Sequence, residues 1–168
     1  MDLRRELETL HRASFGWAMS CCRARRQEAE DVLHTVYIKV LEGRARFDGR
    51  SSFRTWLFGV IHRTAHERHR RRWLQAALLG RWHQSEPRQP VSTSEEAALT
   101  VQEENKRLRA AVARLSPRQR EVLHLVFYQD LTIEESAQAL GISLGSARTH
   151  FERGKQRLRA LLQEDSKP

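Results

Sequence analysis

At 168 residues, with a formal net charge of +9 and an isoelectric point near 10.7, the chain has room for one domain or two small ones, and its natural partner is a polyanion, nucleic acid foremost. No apolar run reaches the length of a membrane span, and the opening MDLRRELETLHRASFGW lacks the apolar core of a signal peptide, so a cytoplasmic protein without membrane insertion is expected. The only cysteines, Cys21 and Cys22, are adjacent, which excludes an ordinary disulfide and leaves too few thiols for a zinc site.

Charge is spread unevenly. Residues 1–42 are neutral, residues 43–72 carry net +7, residues 73–105 net −3 and residues 106–168 net +5. Two basic blocks therefore flank an acidic middle. Leu7, Leu10, Phe15, Trp17 and Ala18 predict one amphipathic helix, and Ala29 to Glu42 a second, with Val32, Val36 and Val40 beside Leu33, Tyr37 and Leu41 as two apolar rows. GRARFDGRSS, residues 43–52, reads as a loop with Asp48-Gly49 as its turn. Ser52 then caps a third helix running to about Leu79. Phe53, Trp56, Leu57, Val60 and Ile61 form its apolar face, while Arg54, Arg63, Arg68 and Arg70 to Arg72 keep it wet.

From Gly80 to Ser94 two prolines, three serines and no apolar period predict a flexible connector, either a soluble spacer or a segment that occupies a positively lined channel. Glu95 to Leu115 is the next helix. Ser116-Pro117 starts another, with serine as cap, proline at the first helical position and Gln119 closing a capping box. This helix is expected to bury Val122, Leu123, Val126 and Phe127 and to end near Asp130. The C-terminal EDSKP reads as a frayed tail. With no strand-like alternation, the fold class is all-α: two small helical domains, residues 1–79 and 95–168, joined by a linker at 80–94.

The most informative stretch is Thr132 to Leu158. Thr132 and Glu135 make a second capping box, Gly141 ends that helix in the left-handed conformation, and Ser143 caps the next. Ala147, Phe151, Gly154 and Leu158 fall on one stripe at about 100° per residue. Thr149, Glu152, Arg153 and Gln156 occupy the opposite arc, flanked by Arg148 and Lys155. This is the layout of a helix-turn-helix at residues 132–158, in the C-terminal domain. Arg148, Thr149, Glu152 and Arg153 are placed to read base edges; Arg118, Arg120, Lys155 and Arg157 suit phosphates.

The 43–72 block is a different cationic site, since it interleaves aromatics with arginines beside a glycine-bearing loop, as proteins do when they hold unstacked single-stranded bases. Arg46, Phe47, Asp48, Arg50 and Ser51 are its candidate contacts, while for Phe53 and Trp56 a core position is favoured. His62, His66 and His69 share a helical face, but no neighbouring carboxylate or thiol completes a metal site and the adjacent arginines repel a cation. No metal, no cofactor and no catalytic constellation is expected.

AEDVLHTVYIKVLEG, RFDGRSSFRTWLFGVIHRTAHERHRRR and LSPRQREVLHLVFYQDLTIEESAQALGISLGSARTHFERGKQRLRALL together resemble an extracytoplasmic-function (group IV) sigma factor of the sigma-70 family, over nearly the whole chain and in the family's order. The resemblance implies a promoter-specificity subunit without catalysis of its own. It partners core RNA polymerase, through the clamp helices of the largest subunit and the flap, together with promoter DNA and an anti-sigma factor. Residues 1–79 would be domain 2, binding polymerase and recognising and melting the −10 element; residues 95–168 would be domain 4, reading the −35 element.

By position, the resemblance assigns polymerase binding to Asp31, His34, Thr35, Tyr37, Ile38, Lys39 and Leu41. It assigns the −10 element to Arg46, Phe47, Asp48, Arg50, Ser51, Ser52, Arg54, Thr55, Trp56, His62, Arg63 and His66. To the −35 set it adds Ser146 and His150. The chain departs from the family pattern at His34-Thr35, where Gln-Glu is common, and at His62-Arg63, where Arg-Asn is typical. Glu67 replaces the usual Asp, and His150 stands where an arginine is frequent. The competing reading is a stand-alone dimeric helix-turn-helix regulator; a histidine-metal nuclease has only the histidine spacing to recommend it.

Overall fold

The computed structural model describes residues 2–78 and 99–164. Among the described residues there are eight helices and no strand: α1 (Leu3–Thr9), α2 (His11–Cys21), α3 (Arg26–Leu41), α4 (Phe53–Leu78), α5 (Leu99–Ala113), α6 (Pro117–Phe127), α7 (Ile133–Leu140) and α8 (Leu144–Glu164). The chain divides into an N-terminal and a C-terminal unit. The expected connector at 80–94, Leu79, residues 95–98 and the tail beyond Glu164 lie outside the described residues.

In the N-terminal unit α2, α3 and α4 pack against one another, with α1 against α2 and α3. Trp17, Ala18, Ala29, Val32, Val36, Leu57, Phe58 and Ile61 are fully enclosed. The Trp17 indole N–H donates to the Phe58 carbonyl at 3.0 Å, so the one polar atom of the largest core side chain is satisfied. Burial of such side chains contributes roughly 1.5–3 kcal/mol apiece.

Two expectations need correction here. The single first helix is two, interrupted at Leu10 (φ −89°, ψ 0°). Beside the break the Thr9 hydroxyl donates to the Arg5 carbonyl at 2.8 Å, a back-bond of the kind that bends helices. The second helix starts at Arg26 rather than Ala29. Arg23 (φ 54°) and Ala24 (φ 62°) make the left-handed turn before it, and the Ala24 N–H donates back to the Met19 carbonyl at 2.8 Å, which closes α2 without a glycine. Residues 43–52 are non-helical, with Gly43 and Gly49 at positive φ, and the Ser52 hydroxyl accepts from the Thr55 N–H at 3.1 Å, capping α4 as read.

In the C-terminal unit Ala111, Leu115, Leu123 and Leu161 form the core, with Phe151, Leu158 and Leu162 packed against it. The Ser116–Gln119 capping box and Pro117 at the start of α6 are present. Phe127, expected inside, is instead 59% exposed, and Leu125 is buried in its place. Phe127 lies off the apolar face of α6 and stacks its ring 5.8 Å from Phe151. Gly154 of α8 is the point of close approach to α6: a Cβ there would sit 3.1 Å from Leu123 Cδ1 and 3.3 Å from Gln119 Cβ.

Candidate nucleic-acid interface

The geometry of α7 and α8 follows from four residues. Glu135 N–H donates to Thr132 Oγ1 at 3.1 Å while Thr132 N–H donates to Glu135 Oε2 at 2.8 Å, a reciprocal capping box. Gly141 at φ 64° ends α7, and Ser143 Oγ accepts from the Ser146 N–H at 3.1 Å to start α8. Ala147 and Gly154 on the inner side of α8 are buried, whereas Ser146, Arg148, Thr149, Glu152, Arg153 and Arg157 are exposed. One helix thus presents three guanidinium groups, two hydroxyls and a carboxylate to solvent, a donor and acceptor set suited to base edges in a major groove.

Flanking groups are more committed. Lys155 lies 4.9 Å over the Phe151 ring and 3.5 Å from Glu152, and His150 is half-buried. Arg118 pairs at 2.9 Å with Glu121, a buried carboxylate, and Arg120 is half-buried. In α6 burial pushes the His124 imidazole down to about 4, and its ring stacks on Tyr128 at 5.2 Å.

In the N-terminal unit the loop at 43–52 is tied to α4 by three rings. Phe47 meets Phe53 edge-on at 5.5 Å, lies 5.5 Å from Trp56, and the latter two are 5.3 Å apart. Phe53 is buried, as the favoured reading has it, and Phe47 and Trp56 are half-buried. Arg46, Asp48 and Arg50 are exposed around this cluster, Ser52 is exposed and Ser51 half-exposed. Asp48 accepts from the Arg50 N–H at 3.2 Å and pairs with its guanidinium at 3.3 Å. Arg54 lies 5.5 Å over the Phe58 ring. Arg63 and His66 are exposed on α4.

Two residues assigned to the −10 element are buried. Thr55 is 1% exposed, with its hydroxyl 2.8 Å from that of Ser52, so it completes a helix cap. His62 is 5% exposed and stacks on Trp17 at 6.2 Å, continuing the core beyond the apolar run.

On α3 the side chains assigned to polymerase make many internal bonds. Asp31 pairs with Arg68 at 2.5 Å. The Thr35 hydroxyl donates to the Asp31 carbonyl at 2.8 Å. Lys39 donates to Thr64 Oγ1 at 3.3 Å and lies 3.7 Å from Glu67. His11 Nδ1 and the Tyr37 hydroxyl are 3.1 Å apart; burial holds that phenol above its usual range. Ile38 is half-buried, and His34 and Leu41 are exposed. Cys22 is buried and Cys21 half-buried, and burial pushes the Cys22 thiol up, against the pull of Arg25 and Arg68.

The models for Sigma-70 region 2 and Sigma-70 region 4 match residues 7–75 and 105–158. The ECF RNA polymerase sigma factor SigX of Bacillus subtilis is 35% identical over 138 residues, covering 80% of this chain and 70% of the relative. RpoE of Cereibacter sphaeroides is 33% identical over 137 residues, covering 78% and 68%. Among solved structures, the sigma factor RpoE from Bartonella quintana, in complex with the anti-sigma factor NepR, aligns over 96% of this chain and 97% of its own at a TM-score of 0.76 and 23% identity. CnrH, in complex with the cytosolic domain of CnrY, aligns over 96% and 88% at 0.64 and 20%. The chain belongs to the extracytoplasmic-function sigma factors of the sigma-70 family. It is a sigma factor that binds core RNA polymerase and promoter DNA and directs transcription initiation; the stand-alone regulator is not favoured.

Proposed function

We propose that the two units divide promoter recognition between them. Residues 1–79 dock on the polymerase clamp through α3 and hold the melted −10 element with the 43–52 loop and the start of α4. Residues 95–168 read the −35 element with Arg148, Thr149, Glu152 and Arg153, with Ser146, Arg118, Arg120, Lys155 and Arg157 toward the backbone. The observation that carries this reading is the two-sidedness of α8, with Ala147, Gly154 and Leu161 buried opposite exposed Arg148, Thr149, Glu152 and Arg153.

At the loop, exposed Arg46, Asp48 and Arg50 surround the half-buried rings of Phe47 and Trp56. Stacking on such rings and backbone contacts from the arginines offset the unstacking of melted bases, roughly 1–3 kcal/mol per stacked base. Phosphate contacts from both units make binding salt-sensitive. The chain acts in the cytoplasm, without catalysis of its own, and no described helix is long and apolar enough to cross a membrane. An anti-sigma factor holds it off polymerase, as NepR is found bound to the similar RpoE. The test is reconstitution: purified core polymerase with this chain is expected to initiate at a promoter that neither uses alone. Failure of the two to co-purify at moderate salt contradicts the proposal.

A further inference from the structure

Beyond Ala65 no described residue of α4 is buried. Ion pairs join this distal half to α3: Lys39 with Glu67 at 3.7 Å, Asp31 with Arg68 at 2.5 Å, and Glu28 with Arg72. Two of these pairs have a further partner. The Glu28 side chain is only 19% exposed and also holds Arg25 at 3.0 Å, and Lys39 is shared between Glu67 and the Thr64 hydroxyl.

The Asp31 pair is exposed at both ends. Its side chain is 39% exposed and that of Arg68 43%. Both carboxylate oxygens are in use: Oδ2 accepts from Arg68 Nη2 at 2.5 Å, and Oδ1 accepts from Gln27 Nε2 at 3.4 Å. The guanidinium thus occupies a charge-assisted site on the carboxylate, and an incoming cation competes with it there.

We infer that Arg68 is an intramolecular competitor for Asp31, so that it lowers the affinity of this chain for core RNA polymerase. The inference rests on the proposed role of α3 as the docking helix, and the partner chemistry is a basic side chain on the polymerase that pairs with Asp31. An exposed ion pair is weak, so the restraint is modest: losing it tightens binding by about two- to fivefold. Because the pair is solvent-exposed, the effect shrinks as salt screens it.

The experiment measures equilibrium binding of the full-length chain, labelled at its N-terminus, to purified core polymerase without DNA. The parent, Arg68→Ala, Asp31→Asn, the double variant and Arg71→Ala are compared. Arg71 is an exposed arginine on the same helix, and its removal controls for bulk charge. The expected results are tighter binding by Arg68→Ala at about 0.1 M salt, loss of that gain near about 0.5 M, and weaker binding by Asp31→Asn. The double variant is expected to match Asp31→Asn alone. Arg68→Gln gives the same readout should truncation to alanine loosen α4, and thermal unfolding of each variant checks that it is folded.

Unchanged or weaker binding by folded Arg68→Ala and Arg68→Gln overturns the inference. So does a gain that persists in the Asp31→Asn background or is equalled by Arg71→Ala. If the parent itself does not bind, the docking role of α3 is rejected and the inference with it; a parent that binds beside an indifferent Arg68→Ala rejects the inference alone.

Discussion

Gly154 gives the sharpest test of how the recognition helix is seated. A Cβ at this position would lie 3.1 Å from Leu123 Cδ1, 3.3 Å from Gln119 Cβ and 3.3 Å from Leu123 Cγ, whereas carbon atoms rest at about 3.5–4.0 Å. The side chains of α6 must therefore yield by a few tenths of an ångström even for alanine. Glycine inside a helix costs about 1 kcal/mol relative to alanine, so Gly154→Ala gains in backbone propensity roughly what it loses in packing, and its net change is expected within about 1 kcal/mol. Gly154→Val adds two methyl groups to the same space and keeps only part of the propensity gain, so it is expected to destabilise the C-terminal unit by about 1–3 kcal/mol. Native-state hydrogen exchange at the slowest α6 and α8 amides reads this locally, with an expected loss of protection of about 5- to 150-fold for valine and little change for alanine. Valine protection equal to the parent's would refute the close approach of α6 and α8.

Other consequences are read in separate assays. The His124 imidazole is held near about 4 by burial, against an ordinary value of 6.5, so the unfolded chain takes up its proton first. Its contribution is intact above about pH 6.5 and is lost as pH falls toward 4, a total of roughly 3 kcal/mol; His124→Gln is expected to flatten the stability profile in that window, and an unchanged slope contradicts the assignment. Thr132→Ala or Ser143→Ala removes a helix cap and is expected to lower the unfolding free energy by about 1 kcal/mol, measured by urea titration. Arg148→Ala or Arg153→Ala should reduce discrimination at one −35 base pair by about 1–3 kcal/mol. Lys155→Ala should instead weaken binding across sequences and shallow the salt dependence. Equal losses on matched and mismatched −35 duplexes would count against base reading by either arginine.

Much of the C-terminal unit was legible because single residues carry its turning points. Thr132 with Glu135, Gly141 at positive φ and Ser143 each act through backbone chemistry that needs no tertiary partner. The turn at Arg23 and Ala24 was not legible, since nothing in those side chains announces a left-handed backbone. The kink at Leu10 was equally hidden, because threonine in a helix is ordinary until its hydroxyl turns back to Arg5. At the candidate sites, residue type suggested contact but did not reveal the internal partner. His62 stacks on Trp17 and Asp31 pairs with Arg68. Such pairings join residues up to 45 positions apart, and periodicity within one helix carries no information about them.

The division of labour between the two units is tested most directly on matched promoter templates, one fully duplex and one with the −10 region already unpaired, transcribed by core polymerase with each variant. The account predicts that combined Arg46→Ala and Arg50→Ala impairs initiation on the duplex and is largely rescued on the unpaired template, while combined Arg148→Ala and Arg153→Ala is impaired on both wherever initiation depends on the −35 sequence. Rescue of the recognition-helix variant by the unpaired template, with none for the loop variant, would contradict it.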